Sequence, residues 1–120
     1  SMNLFDAINA HVAWKIRLQK HIDGVSEEEL DPEVVGCDDK CALGQWIYRT
    51  LNEHNGIPLF RQVRVQHAHF HRCAAAIIVA TDEGEKAAAE ALLHDDYAQL
   101  SHMIVKSLTK LSMELDPDPA

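Results

Sequence analysis

A chain of 120 residues has room for one domain, and at this size about two-thirds of the unfolded surface is buried on folding, enough for a real core. Apolar residues make up 47% and charged residues 25%, a globular composition that excludes a largely disordered chain. Nineteen acidic residues against eleven basic ones leave a formal charge of -8, which repels a phosphate backbone and argues against a nucleic-acid partner.

Ser1 ahead of Met2 reads as an addition to a native start at Met2. Leu4, Ile8, Trp14, Leu18 and Ile22 then recur at helical spacing, between the candidate N-cap Asn3 and Gly24, and predict helix one. Val25 to Lys40, with Pro32, Gly36 and acidic clusters, predicts a short helical turn at Ser26 to Leu30 and then an irregular connection. Asp38 or Asp39 is the expected cap of helix two, whose stripe is Leu43, Trp46, Ile47 and Leu51 and whose end falls near Asn55 and Gly56. Pro58 suits the first turn of helix three, which aligns Phe60, Val63, Phe70, Ala74 and Ile77 and stops near Thr81, before Asp82, Glu83 and Gly84. From Glu85 to Leu115 a heptad-like stripe of Leu93, Tyr97, Leu100, Ile104, Leu108, Leu111 and Leu115, without internal Gly or Pro, predicts one long fourth helix. The expected fold is all-α. It is an antiparallel four-helix bundle over residues 1–115, with an additional short helix between helices one and two and a flexible tail over 116–120.

The longest apolar run, Cys73 to Ala80, falls far short of the roughly 20 residues that span a bilayer, so no membrane insertion is expected. Three cysteines, an odd number without a secretory leader, point to a reducing, cytoplasmic compartment.

Eight histidines is a high count for this length, and three of them fall on core-facing stripes. His11 lies in line with Leu4 and Leu18, while His67 and His71 continue the line of Phe60, Val63 and Ala74 and are stacked at i and i+4. Such a pair suits two vertices of a tetrahedral zinc site, although alone it also fits coincidence. Cys41, expected in the first turn of helix two, is a thiol where the helix dipole favours thiolate. Gly44, one turn later, costs about 1 kcal/mol relative to Ala in a helix, and its missing side chain would let a helix or imidazole approach the sulfur. Unpaired buried polar groups cost on the order of 1 to 3 kcal/mol each, and one zinc would satisfy all four. Separate hydrogen bonds in the core remain the alternative at this point.

The spacing of these segments resembles the chemoreceptor zinc-binding (CZB) domains of bacterial signalling proteins. The family pattern is a His followed three residues later by an aromatic or large apolar residue, then Cys-x-apolar-Gly-x-apolar, then His-x-x-x-His. Here it is carried by His11 and Trp14, by Cys41, Leu43, Gly44 and Trp46, and by His67 and His71. The twenty-six residues between Trp14 and Cys41 and the twenty between Trp46 and His67 suit the family's gaps. The resemblance implies one Zn(2+) per chain held by His11, Cys41, His67 and His71, with Trp14, Leu43, Gly44 and Trp46 in support. It also implies a helical-bundle sensory domain, not an enzyme, that responds to zinc or to oxidants such as hypochlorite. Such domains are often homodimeric, and they stand alone or are attached to chemoreceptors of chemotaxis or to diguanylate cyclases.

Competing chemistries lack their residues. A di-iron site wants Glu-x-x-His pairs on two helices, and no Glu here is followed by His three residues on. A zincin needs His-Glu-x-x-His, whereas Ala68 follows His67. A hemerythrin-like carrier wants further His and carboxylate ligands, and a plain interaction module needs no metal at all. Cys37 precedes the expected cap and reads as a spectator, and Cys73 as a packing residue. His69 points away from the His67 and His71 face, and His21, His54, His94 and His102 have no partner at ligand spacing. Asp95 or Asp96 is the expected acceptor for a ligand imidazole's second nitrogen.

Overall fold

The computed structural model describes residues 2–115 and is helical wherever it is regular. Ser1 and the tail expected over 116–120 lie outside the described residues. Helix α1, Leu4–Ile22, starts where Asn3 accepts from the Phe5 and Asp6 N–H groups, and gives way at Gly24, whose φ of 73° suits glycine. It buries Leu4, Trp14, Leu18 and Ile22 together with His11, and leaves Ile8 half-buried. The short helix falls later than expected. Residues 26–30 are not helical; Asp31 caps Glu33 N–H, and Pro32 at N1 starts α2, Pro32–Val35.

Helix two also departs from expectation. Its cap is Cys41, not Asp38 or Asp39, and it is split into α3, Ala42–Arg49, and α4, Leu51–His54. The break falls at Thr50, where the backbone leaves the helical region at φ -105° and ψ 11°. Leu43, Trp46 and Ile47 are buried as the stripe predicts, and Leu51 is half-buried.

Helix α5, Pro58–Asp82, is the longest, and it buries Phe60, Val63, Phe70, Ala74 and Ile77 as well as both of its inward histidines. Gly84, at φ 78°, turns the chain back into the fourth rod. That rod is not one uniform α-helix but α6, Lys86–Leu92, a π-helical turn at Leu93–Tyr97, and α7, Ala98–Leu115. A π turn carries one extra residue and so rotates the residues downstream of it by about 100° relative to an unbroken helix. Leu93, Tyr97, Ile104, Leu108 and Leu111 are buried, but Leu100 and Leu115 are only half-buried and Ser107 is buried instead.

The core runs along the seams where α5 meets α7 and α6 and where α1 meets α7, in a body of 46 × 24 × 21 Å. Among the described residues no helix is long and apolar enough to cross a membrane.

Candidate metal centre

Three separate stretches of chain bring the four singled-out side chains together. His11 comes from the middle of α1, Cys41 from the cap of α3, and His67 and His71 from successive turns of α5. Their ligand atoms all lie within 4.8 Å of one another. The His67 Nε2 is 3.1 Å from His11 Nε2 and 2.9 Å from His71 Nε2, and the Cys41 Sγ is 3.2 Å from His67 Nε2 and 3.6 Å from His71 Nε2. The three imidazoles are buried and Cys41 is half-buried.

The far side of the rings settles the tautomers. His11 Nδ1 lies 2.6 Å from the Ala7 carbonyl and His71 Nδ1 lies 2.8 Å from the Val35 carbonyl. A carbonyl only accepts, so each Nδ1 carries the proton and each Nε2 presents a lone pair to the cluster. Burial also lowers the pKa values, to about 4 for His11 and about 2 for His67, with His71 lowered too, so the rings are neutral. Backbone carbonyls thus replace the expected Asp95 or Asp96, and Asp95 instead accepts from Gln99 at 2.9 Å. The His67 Nδ1 is buried without a partner.

The Nε2 lone pairs of His11 and His71, the Nε2 of neutral His67 and the Cys41 thiol therefore converge on one point. A cation satisfies all four donors at once. The three-imidazole, one-thiol set is one that zinc accepts in tetrahedral sites, so the residues present fit that ion.

Cys41 is placed by the chain ahead of it. Its Sγ accepts the Gly44 N–H at 3.4 Å, which makes the sulfur the cap of α3 and not a first-turn residue. Burial pushes the thiol pKa up, opposed by the N–H groups of Gly44 and Leu43, so the helix end alone does not hold a thiolate. Gly44 has a different reason from the one its sequence position implies. A Cβ there would run into the Asp38 carbonyl, with its carbon 2.7 Å away, so the glycine admits the backbone of the loop that delivers Cys41 and not a neighbouring imidazole. The Asp38 carboxylate in turn accepts from the Tyr48 hydroxyl and closes that loop onto α3.

Trp14, Leu43 and Trp46 lie in the core around these residues, with Trp46 packed edge-on against Phe60. Cys37 donates to the Glu33 carbonyl and is not part of the cluster. Cys73 is half-buried, its thiol pushed up to about 11 by burial and by Asp96, as suits a packing residue. His21 pairs with Asp82 at 2.8 Å and His94 with Glu90 at 3.1 Å, while His54 packs between Trp46 and Phe60. One further residue, which the sequence does not mark, reaches the site. Tyr97 stands in the sequence only as one more stripe residue, yet its hydroxyl donates to the His11 carbonyl at 3.4 Å.

Fold and cluster together define an all-helical domain built around a buried metal-binding set. The family model of the chemoreceptor zinc-binding domain, CZB, matches residues 11–78, more than half of the chain, and the chain belongs to that family. The family is one of zinc-binding regulatory domains and not a catalytic one. No curated protein and no solved structure matches the chain.

Proposed function

We propose that this chain is a sensory domain that holds one zinc ion through His11, Cys41, His67 and His71 and reports zinc availability or oxidation of Cys41. The observation that carries the reading is the convergence of three Nε2 atoms and a thiol, two of the rings being locked in the ligating tautomer by the Ala7 and Val35 carbonyls. Four protein ligands fill a tetrahedral zinc, leaving no position for substrate or activated water, so the site is regulatory and not enzymatic. When bound, zinc holds the sulfur as thiolate and ties α1, α3 and α5 together.

Metal analysis tests the assignment. One zinc per chain is expected for the unaltered protein and none for the His67→Ala/His71→Ala double variant; retention of a full equivalent by that variant would falsify the site. Two irons would favour the di-iron or hemerythrin-like alternative, and no metal with unchanged folding the plain module.

Cys41 is the soft, oxidisable member of the set, and it is half-buried, not sealed. With hypochlorous acid, the thiolate sulfur attacks chlorine and hydroxide leaves, giving a sulfenyl chloride; water then displaces chloride with loss of a proton to give the sulfenic acid, the sulfur losing the two electrons that reduce hypochlorite to chloride. That sulfur is then a poorer ligand for a metal and a poorer acceptor for the Gly44 N–H. Hypochlorite treatment should modify Cys41 as zinc is released. Modification restricted to Cys37 and Cys73 with zinc fully retained leaves zinc occupancy as the signal.

The same reading takes the rods as an antiparallel four-helix bundle, supported by the short Glu83–Glu85 link between α5 and α6. It takes the chain as a cytoplasmic homodimer acting with a chemoreceptor or diguanylate cyclase module. Support for a second copy comes from the outer face of α1, where Phe5, Val12 and Ile16 are 59%, 51% and 62% exposed, and from Met103 on α7, 44% exposed.

A further inference from the structure

The fourth rod supplies no ligand and lies beyond the residues that the family model matches, yet it packs against both α1 and α5. Its approach to the metal centre is made at the π-helical turn Leu93–Tyr97. π turns interrupt regular helical hydrogen bonding and are frequent at functional sites. Here the last residue of the turn is Tyr97, 1% exposed, linked to the cluster through the backbone of His11 and through Phe70. Its hydroxyl donates to the carbonyl of His11, and its ring lies 5.1 Å from that of Phe70. Phe70 in turn meets His11 at 5.1 Å and His71 at 5.7 Å, edge-on in both cases.

A residue chosen only to fill this space would be phenylalanine. A buried hydroxyl needs an acceptor, and among the described residues the acceptor that Tyr97 meets belongs to a residue of the metal-binding set. Burial raises the phenol pKa well above its ordinary value, so the group is protonated and acts as a donor. The carbonyl it meets is on the helix that carries His11, so a shift of that ligand displaces the tyrosine, and a shift of the tyrosine displaces the ligand.

We propose that Tyr97, aimed by the π turn, is a positioning residue for His11 that couples metal occupancy to the ligand-free fourth rod. This rests on the zinc reading above and extends it by naming the element that moves with the site. The output of the domain is then read from α6 and α7 as well as from the helices that hold the ion. Ligand binding at one end of such a hydrogen-bonded contact biases the other end by the same free energy.

The test is the Tyr97→Phe variant, which keeps the ring contact with Phe70 and removes only the hydroxyl. It should still fold, its metal-free melting lowered by no more than the few degrees that one neutral hydrogen bond accounts for. Zinc affinity, measured against a competing chelator, should fall about two- to tenfold, the range that one neutral hydrogen bond supports. The cobalt(II)-substituted variant should show shifted ligand-field bands, a signature that a merely space-filling residue would leave in place. In the unaltered chain, zinc should also slow hydrogen exchange of the backbone amides of residues 93–101. In Tyr97→Phe that slowing should be lost while the slowing in α1 and α5 persists.

Normal zinc binding by the unaltered chain without any change in exchange at 93–101 overturns the coupling. A variant equal to the unaltered chain in affinity, cobalt spectrum and exchange overturns the role of Tyr97. Failure of the unaltered chain to bind zinc overturns the zinc reading itself and this inference with it.

Discussion

Gly44 shows how a single residue can be legible in position and illegible in purpose. The motif marks it, but only the fold shows that the space beside it belongs to the Asp38 carbonyl. Gly44→Ala would force that backbone outward and carry Cys41 with it. Overpacking of this kind costs about 1 to 3 kcal/mol. Urea unfolding of the metal-free variant should show that loss, and zinc affinity should fall as well; an unchanged midpoint together with unchanged affinity would refute the role given to the Asp38 loop. The three histidines of the site are legible in the sequence because each is a metal-binding type at helical register on an inward face, and Cys41, at the cap, by its place in the motif ahead of Leu43, Gly44 and Trp46. Their outer partners are not. Ala7 and Val35 contribute only backbone carbonyls, a chemistry every residue shares, so side-chain chemistry alone points to Asp95 and Asp96 instead.

Among the elements, α1 and α5 follow their hydrophobic spacing and their caps closely, because long amphipathic helices carry enough repeats to fix the buried face. The shorter pieces do not. Helix two breaks at Thr50, where only the backbone dihedrals change, and the π turn in the fourth rod leaves no mark in the apolar pattern. The register of that rod can be checked by truncation. Leu108, fully buried on α7, should lose about 2 to 5 kcal/mol on substitution by Ala. Leu100, half-buried, should lose less than half as much, where an uninterrupted stripe would make the two equal. Denaturant unfolding of Leu100→Ala beside Leu108→Ala distinguishes the two registers.

On the scale of the whole molecule, zinc that binds only the folded chain stabilises it by mass action. At free zinc about a hundredfold above Kd the gain is about 2.7 kcal/mol, or several degrees in the melting temperature of a domain this size. Chelation should therefore lower the melting temperature without abolishing the helical fold, whose core is continuous beyond the site. A melting curve that ignores verified zinc removal would contradict the coupling of metal to fold. Light scattering at high protein concentration should give the mass of two chains. Ile16→Glu, on the exposed apolar face of α1, should return it to one; a monomeric mass for the unaltered chain counts against the second copy.

The ligands also come from three distant stretches of the chain, Cys41 lying 26 positions before His67 and His11 lying 56 positions before it. An ion held by all of them closes long loops, and that closure becomes favourable only after α1, α3 and α5 have docked. Zinc therefore acts mainly on the lifetime of the native state, as a clasp fastened after the folding barrier has been crossed. In stopped-flow chevrons, zinc should leave the refolding limb nearly unmoved and depress the unfolding limb. A cell that strips the metal would thus change how long each molecule stays folded long before it changes how fast new ones form.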